Sequence, residues 1–350
     1  VGALAVGLNA VLLAAAGLGL ALEVARSSDA VRVRNALLLR RARPGDFDWT
    51  PADPPADFRI ESAPPAAWLL EVLDDIGVQR QAGAWHNALL IAGHLTEHAQ
   101  DKGRIRADLA TTYAGIRQGY GYCADFARVF LALSHAAGVF ARQWAFSFDG
   151  FGGHGHVFVE IWDPARGQWV FLDVYNNFHA EDPTSARPLS ALELRQALIG
   201  HAGFPRIVRN GPGRRGFPRE EKLGEYYTRG LQEWYLWWGN AALPDDERPR
   251  ASFGGTRLRT AHRALRALVG LGPRIRIYET RENQAQVARL GALRRRVVAG
   301  ALLCTALSAA LLYQLSALGL QASGPAPALT GAAASVPVAA GSLHSRVQGR

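Results

Sequence analysis

Methionine is absent from this chain of 350 residues, cysteine occurs twice, and lysine stands only at Lys102 and Lys222. Each shortage excludes something. Two cysteines cannot build a disulfide framework. Cys304 lies in a long apolar run, a poor place from which to reach Cys123. A zinc site usually draws several Cys or His ligands at short spacing, and Cys123 has no such company, so no metal or cofactor is expected around it. That leaves Cys123 as a buried core thiol or a nucleophile. Positive charge is plentiful, with 39 Lys and Arg against 30 Asp and Glu and a net charge of +9. The basic residues are spread along the chain rather than focused on one element, so no nucleic-acid partner is expected. The basic glycine-rich stretch NGPGRRG (210–216) lacks a Walker pattern, which argues against a phosphate cradle, and no internal repeat is visible.

Charge itself is missing from two runs, residues 1–22 and residues 297–320. Each is long enough to cross a hydrocarbon core of about 30 Å as a helix, which makes the lipid bilayer an expected partner. The first run also reads as a signal peptide or signal anchor, although it exceeds a usual h-region and shows no basic n-region. The chain opens on valine, so a basic stub ahead of it is left open. Arg26, Arg32, Arg34, Arg40, Arg41 and Arg43 follow the first run, and Arg289, Arg294, Arg295 and Arg296 precede the second. The positive-inside rule then places the middle of the chain in the cytoplasm of a bacterial-type inner membrane, with a signal-anchored periplasmic domain as the rival.

Between the two runs the hydrophobic period changes. Prolines in RPGDFDWTPADPPADF (43–58) oppose regular structure, and residues 23–66 read as a basic, Pro-rich linker. Helices are expected at 64–76, 84–99, 106–119 and 123–138, the last with Phe126, Val129, Phe130, Leu133 and Ala137 on one face and Gly138 as its stop. Short aromatic and β-branched runs follow at 141–148, 156–162 and 168–175, and DPARG (163–167) joins the last two as a hairpin. Further helices are expected at 189–199, 219–239 and 256–270, with a strand at 272–280. In EYYTRGLQEWYLWWGN (225–240), Tyr227, Leu231, Trp234 and Trp238 would share a helix face. That face suits a protein core or a membrane interface better than a substrate platform. Helices followed by an antiparallel sheet make an α+β plan: a core over 67–180, a helical extension over 181–296 and a disordered Ala-, Gly-, Ser- and Pro-rich tail over 321–350.

A thiol reacts as its thiolate, which the positive end of a helix or a neighbouring imidazole stabilises. Cys123 sits where a helix begins, and Asp125 can cap that start. If Asp163 faces Gln168 across the turn, residue 158 faces 173, and His156 and Asp173 become diagonal neighbours on one face of the sheet. Such positions lie about 7–8 Å apart at Cα, within side-chain reach. Asp173 can then hold the imidazole while the other ring nitrogen faces Cys123, a nucleophile–base–orienter set. His154 is the competing base, but GFGGHG reads as a loop. HLTEH (94–98) matches an inverted zincin motif, with His94 and His98 on one helix face and no evident third ligand.

The segment GYCADFARVFLALSHAAGVFARQW resembles the nucleophile region of the transglutaminase-like family, and HVFVEIWDPARGQWVFLDVYNN resembles its His and Asp motifs. Phe158 stands where Trp is commoner. The resemblance covers roughly residues 85–180 and rests on three motifs in order, a more specific signal than any one alone. It implies a papain-like core, here flanked by N- and C-terminal transmembrane helices, and a triad of Cys123, His156 and Asp173. The implied chemistry is thioester acyl transfer or hydrolysis on a peptide or amide substrate. The family also holds members without activity, so a catalytically inactive scaffold with membrane-protein partners is the alternative, and a zinc peptidase using His94 and His98 a distant third.

Overall fold

The computed structural model describes residues 2–98, 100, 103, 105, 107–200, 205–211, 217, 219–242 and 274–322. The chain divides into two units, one of residues 17–302 and one of residues 1–16 with 303–350. Helices α1 (Gly2–Leu22) and α9 (Gln284–Ala322) each contribute to both. In the smaller unit Asn9 Nδ2 donates to Gln314 Oε1 at 3.3 Å, and Gly2 lies against Leu318. Leu4, Leu8, Val11, Leu312 and Tyr313 point outward. Among the described residues these are the two helices long and apolar enough to cross a membrane, and only 6% of each apolar window is buried.

The larger unit is mixed α/β, built on a six-stranded sheet ordered β1-β8-β7-β2-β3-β4. Its strands are β1 (Leu39–Arg40), β2 (Ala141–Ser147), β3 (Gly155–Asp163), β4 (Gln168–Leu172), β7 (Trp234–Trp237) and β8 (Ile275–Ile277). All neighbours run antiparallel except β1 and β8. A smaller sheet pairs β5 (Phe178–Glu181) with β6 (Arg206–Arg209). Alternation along the strands sends Trp144, Phe146, Phe158, Phe171, Trp234 and Leu236 to one face, and Ala145, Val159, Ile161, Leu172 and Tyr235 to the other. On the second face α3 (Ala67–Asp75), α4 (Ala84–Thr96), α5 (Leu109–Arg117) and α6 (Cys123–Ala136) form a helical layer, with Phe126, Val129, Phe130 and Leu133 of α6 in its core. The aromatic face is covered by α7 (Ala191–Gly200) and α8 (Glu220–Arg229).

Two charged residues of the quoted segments, Arg142 and Glu160, are partners in the sheet. Arg142 Nε donates to Glu160 Oε2 at 2.8 Å, and both side chains are buried. Glu160 also accepts from Trp144 Nε1 and, at 2.7 Å, from the backbone N–H of Ala191 at the start of α7. The guanidinium stacks 3.8 Å from the centre of the Trp169 ring. Burial lowers the Arg142 pKa and Glu160 opposes that shift.

Three expectations need correction. Residues 23–66 are not a plain linker: α2 (Ser27–Leu38) buries Val33, Ala36, Leu37 and Leu38 beside β8 and α9, and Trp49 and Phe58 enter the aromatic core. An amphipathic run of that kind packs wherever a sheet face is open to it. Residues 219–239 are not one helix. Helix α8 stops at Arg229, and β7 follows with Trp234, Leu236 and Trp238 pointing the same way. The aromatics alternate with a period of two, and pairing with β2 selects that period over 3.6. Trp234 and Trp238 are fully buried, so this stretch is core. The third correction follows: 181–296 is no helical extension, because β7 and β8 lie inside the main sheet. The helix expected at 256–270 lies outside the described residues, as does the tail from 323 onward.

Gly155 opens β3 opposite Ser147, where a Cβ would stand 1.9 Å from the Phe146 carbonyl oxygen. Gly155→Ala must therefore push β2 and β3 apart next to His156. The expected cost is about 1–3 kcal/mol, read from urea denaturation midpoints.

Candidate active site

The loop before α6 needs glycine at two places. Gly119 has φ +90° and Gly121 φ +107°, values that L side chains rarely adopt. A Cβ on Gly121 would also meet the Phe126 ring at 3.2 Å and Ile116 at 3.3 Å. The chain thus turns tightly and enters the helix at Cys123. Tyr122 is the N-cap, and its backbone N–H donates at 2.9 Å to the Asp125 carboxylate, the reciprocal half of a capping box. The thiol therefore stands at the positive end of a 14-residue helix and is partly exposed.

His156 is the second residue of β3 and is almost fully buried. Asp163 pairs with Gln168 across the turn, and that register carries β4 toward Asp173. Strand β4 ends at Leu172, one residue earlier, and Asp173 is held by a bridge in which its N–H donates to Phe178 O at 2.9 Å. His156 Nε2 lies 2.7 Å from Asp173 Oδ2. The remaining ring nitrogen, Nδ1, is the one left for Cys123, which acts electrostatically on the imidazole. Around the imidazole stand the rings of Phe146, Tyr175, Tyr226 and Tyr227, with centroids 5.7–6.1 Å away.

Asp173 is fully buried and densely bonded. Besides His156, its carboxylate accepts from Asn176 Nδ2 at 2.7 Å, from the Asn176 backbone at 3.0 Å and from Tyr227 Oη at 2.8 Å. Burial pushes its pKa up, but His156 and the Asn176 bonds pull it below the ordinary 3.8. Burial likewise pushes His156 down, yet Asp173 and Cys123 outweigh it and raise the imidazole from 6.5 to about 10. Burial and the Asp173 charge lift Tyr227 well above its usual value, so it stays a neutral donor.

These shifts give a stability prediction. A raised His156 stabilises the fold in full below its unfolded value of 6.5, and the contribution drains away as pH rises through about 10. A lowered Asp173 contributes above its unfolded 3.8 and is lost as pH falls below that. The pair is worth most between those two unfolded values. Asp173→Asn is expected to cost about 3 kcal/mol or more near pH 5, and the gap should narrow toward pH 10. Urea midpoints of both proteins across pH 4–10 measure it; a gap independent of pH would mean the pair is not ionised.

The strand carrying His156 is led in by a clamped loop. Arg32 of α2 donates to the carbonyls of Gly150 (3.0 Å) and Asp149 (2.6 Å), and Asn35 to that of Phe151 (2.8 Å). Glu233, just before β7, accepts the N–H groups of Gly150 and Phe151. Phe151 is held at φ +60° and is fully buried. His154 lies in this loop, mostly exposed, with its Nδ1 3.3 Å from Asp149. It is not part of the Cys123 cluster.

His94 and His98 are elsewhere. His94 Nε2 is 2.9 Å from Tyr113 Oη, and exposed His98 lies 3.8 Å from Glu97. Among the described residues no group of three His, Cys, Asp or Glu side chains could hold a metal ion.

Sequence reasoning missed Asn176, Tyr226 and Tyr227. Asn176 had a faint local signal, an Asx-type turn three residues after Asp173. Tyr226 donates to the Gly155 carbonyl at 3.0 Å and Tyr227 to Asp173, but both reach the site from α8, more than 50 residues away. Residues 88–174 match the family model of the transglutaminase-like superfamily core. No curated protein and no solved structure matches the chain significantly.

Proposed function

Residues 88–174 form a transglutaminase-like superfamily domain, and on that premise we propose that the chain is a membrane-anchored cysteine acyl-transfer enzyme acting on a peptide or amide substrate. A domain of this superfamily supports a papain-like fold. The observation that carries the catalytic reading is the convergence on His156 of a helix-start thiol on one side and a buried, multiply bonded carboxylate on the other. The anchoring is supported by α1 and α9, whose apolar windows are only 6% buried.

In this mechanism Cys123 Sγ, as thiolate, attacks the carbonyl carbon of the substrate amide. His156, as imidazolium, gives its proton to the leaving nitrogen as the C–N bond breaks, leaving a thioester on Cys123 and a neutral imidazole. Water or an amine then attacks the thioester, His156 takes its proton, and the thiolate is released. Asp173 holds the ring and stabilises its charged form without taking the proton. The Cys123 backbone N–H, in the first turn of α6, is the donor best placed for the developing oxyanion.

The test is intact-protein mass spectrometry after incubation with a library of peptide amides. The expected result is an acyl adduct on Cys123 that hydroxylamine removes and that Cys123→Ser never forms. A thiol that acquires no adduct from any substrate class, in a folded chain, leaves the inactive-scaffold reading in its place.

A further inference from the structure

A cluster of guanidinium groups without a carboxylate partner among the described residues lies at the foot of α9. Strand β1 sets Arg40 opposite Arg276 of β8. Arg40 Nη1 and Arg294 Nη1, the latter from α9, both donate to one acceptor, the Leu39 carbonyl, at 2.9 Å and 3.4 Å. Two guanidinium groups are thus gathered on one carbonyl oxygen. The nearby carboxylates are committed to other arginines. Arg276 lies 3.3 Å from Asp46 and 2.9 Å from Asp57, and Asp57 also faces Arg274 at 3.4 Å and Arg43 at 3.6 Å. Glu23 lies 3.1 Å from Arg296. Among the described residues no carboxylate lies within ion-pair distance of Arg40 or Arg294. Burial lowers the Arg40 pKa, and Arg294, Arg274 and Arg276 lower it further, the mark of like charges held together.

Such a cluster is costly unless an anion completes it. Its position says which anion. Arg294 is three residues ahead of the uncharged run that begins at 297, so it lies about 5 Å below that run along the helix. If the run lies in hydrocarbon, Arg294 is level with the head groups. Both residues are arginine, whose planar fork matches phosphate oxygens in pairs. We propose that Arg40 and Arg294 form a binding site for the phosphodiester of an anionic phospholipid head group, with Arg274 and Arg276 adding to its positive potential. This rests on the membrane-anchored reading above and is independent of catalysis.

The test uses the full chain in dodecyl maltoside micelles, doped with phosphatidylglycerol or with phosphatidylcholine, and follows the thermal midpoint as lipid is titrated. Phosphatidylglycerol is expected to bind about ten-fold more tightly than phosphatidylcholine. Arg40→Gln combined with Arg294→Gln should erase that preference, while its midpoint in phosphatidylcholine stays level or rises because repulsion is relieved. Arg40→Lys with Arg294→Lys should keep only part of the preference. Equal response of the wild-type chain to the two lipids overturns the site, as does a preference that survives the double Gln variant. So does inorganic phosphate producing the same shift at the same concentration, which would make it a site for a soluble anion. Flotation with phosphatidylcholine vesicles after an alkaline wash separates the two claims. A chain that floats without head-group preference loses only this site, whereas one that does not float loses the anchor.

Discussion

Alkylation of Cys123 by iodoacetamide, on a Cys304→Ser background, is expected to be fast at pH 6 and to slow about a hundredfold in His156→Ala. The magnitude follows from two quantities. A free thiol with pKa near 8.5 is only about 0.3% thiolate at pH 6. His156 is held as imidazolium up to about pH 10, so a positive charge stands beside the sulfur across the whole neutral range. Removing the ring takes away the imidazolium and leaves only the helix start to favour the thiolate. The shapes of the profiles matter as much as the ratio. The parent should stay well ahead of His156→Ala through the neutral range, because only the parent has an imidazolium beside the sulfur. Asp173→Asn should fall between them, because it leaves the ring in place but withdraws the charge that raises it. A single titration near pH 8.5 in all three proteins would sink the catalytic reading and leave an inert thiol.

Glu160→Ala is expected to be the most damaging single change away from that cluster, costing about 3–5 kcal/mol. It strands the Arg142 guanidinium, whose side chain is 2% exposed. It also removes the acceptor for Trp144 Nε1 and for the backbone N–H that begins α7. Guanidinium chloride midpoints measure the loss. Glu160→Gln should cost less, since its carbonyl oxygen can still accept from one of these donors. Replacing Arg142 and Glu160 together by apolar residues should recover much of the loss, because neither buried charge is then left alone. If Glu160→Ala unfolds at the parent's midpoint, the ion pair is not holding the sheet.

The approach of His156 to Asp173 was legible in the sequence because it depends on local rules. A DPARG turn sets Asp163 against Gln168, strand alternation puts 156 and 173 on the same side, and both steps are counted within one hairpin. The helix start at Cys123 was legible for the same reason, since glycines, a capping carboxylate and an apolar face all lie within 15 residues. The lining of the site was not. Tyr227 meets Asp173 across 54 positions, and the Glu233 clamp meets Phe151 across 82. No spacing rule reaches that far.

The aromatic run 225–240 marks the boundary between the two kinds of information. Its side chains satisfy a helical period and a strand period almost equally over so short a length, so local pattern leaves both open. The sheet resolves the choice. Edge hydrogen bonds of β2 take up Trp234–Leu236, and Gly230 passes so close to Phe146 that a Cβ there would stand 2.1 Å from the ring. A helix through that point would leave the β2 edge unpaired, and buried backbone groups without partners cost more than any helical propensity returns. Residues close in sequence set the turn, the helix start and the hairpin. Which distant segment fills the remaining edge, and so which side chains wall the His156 pocket, depends on what else can pair with that edge once the chain has collapsed.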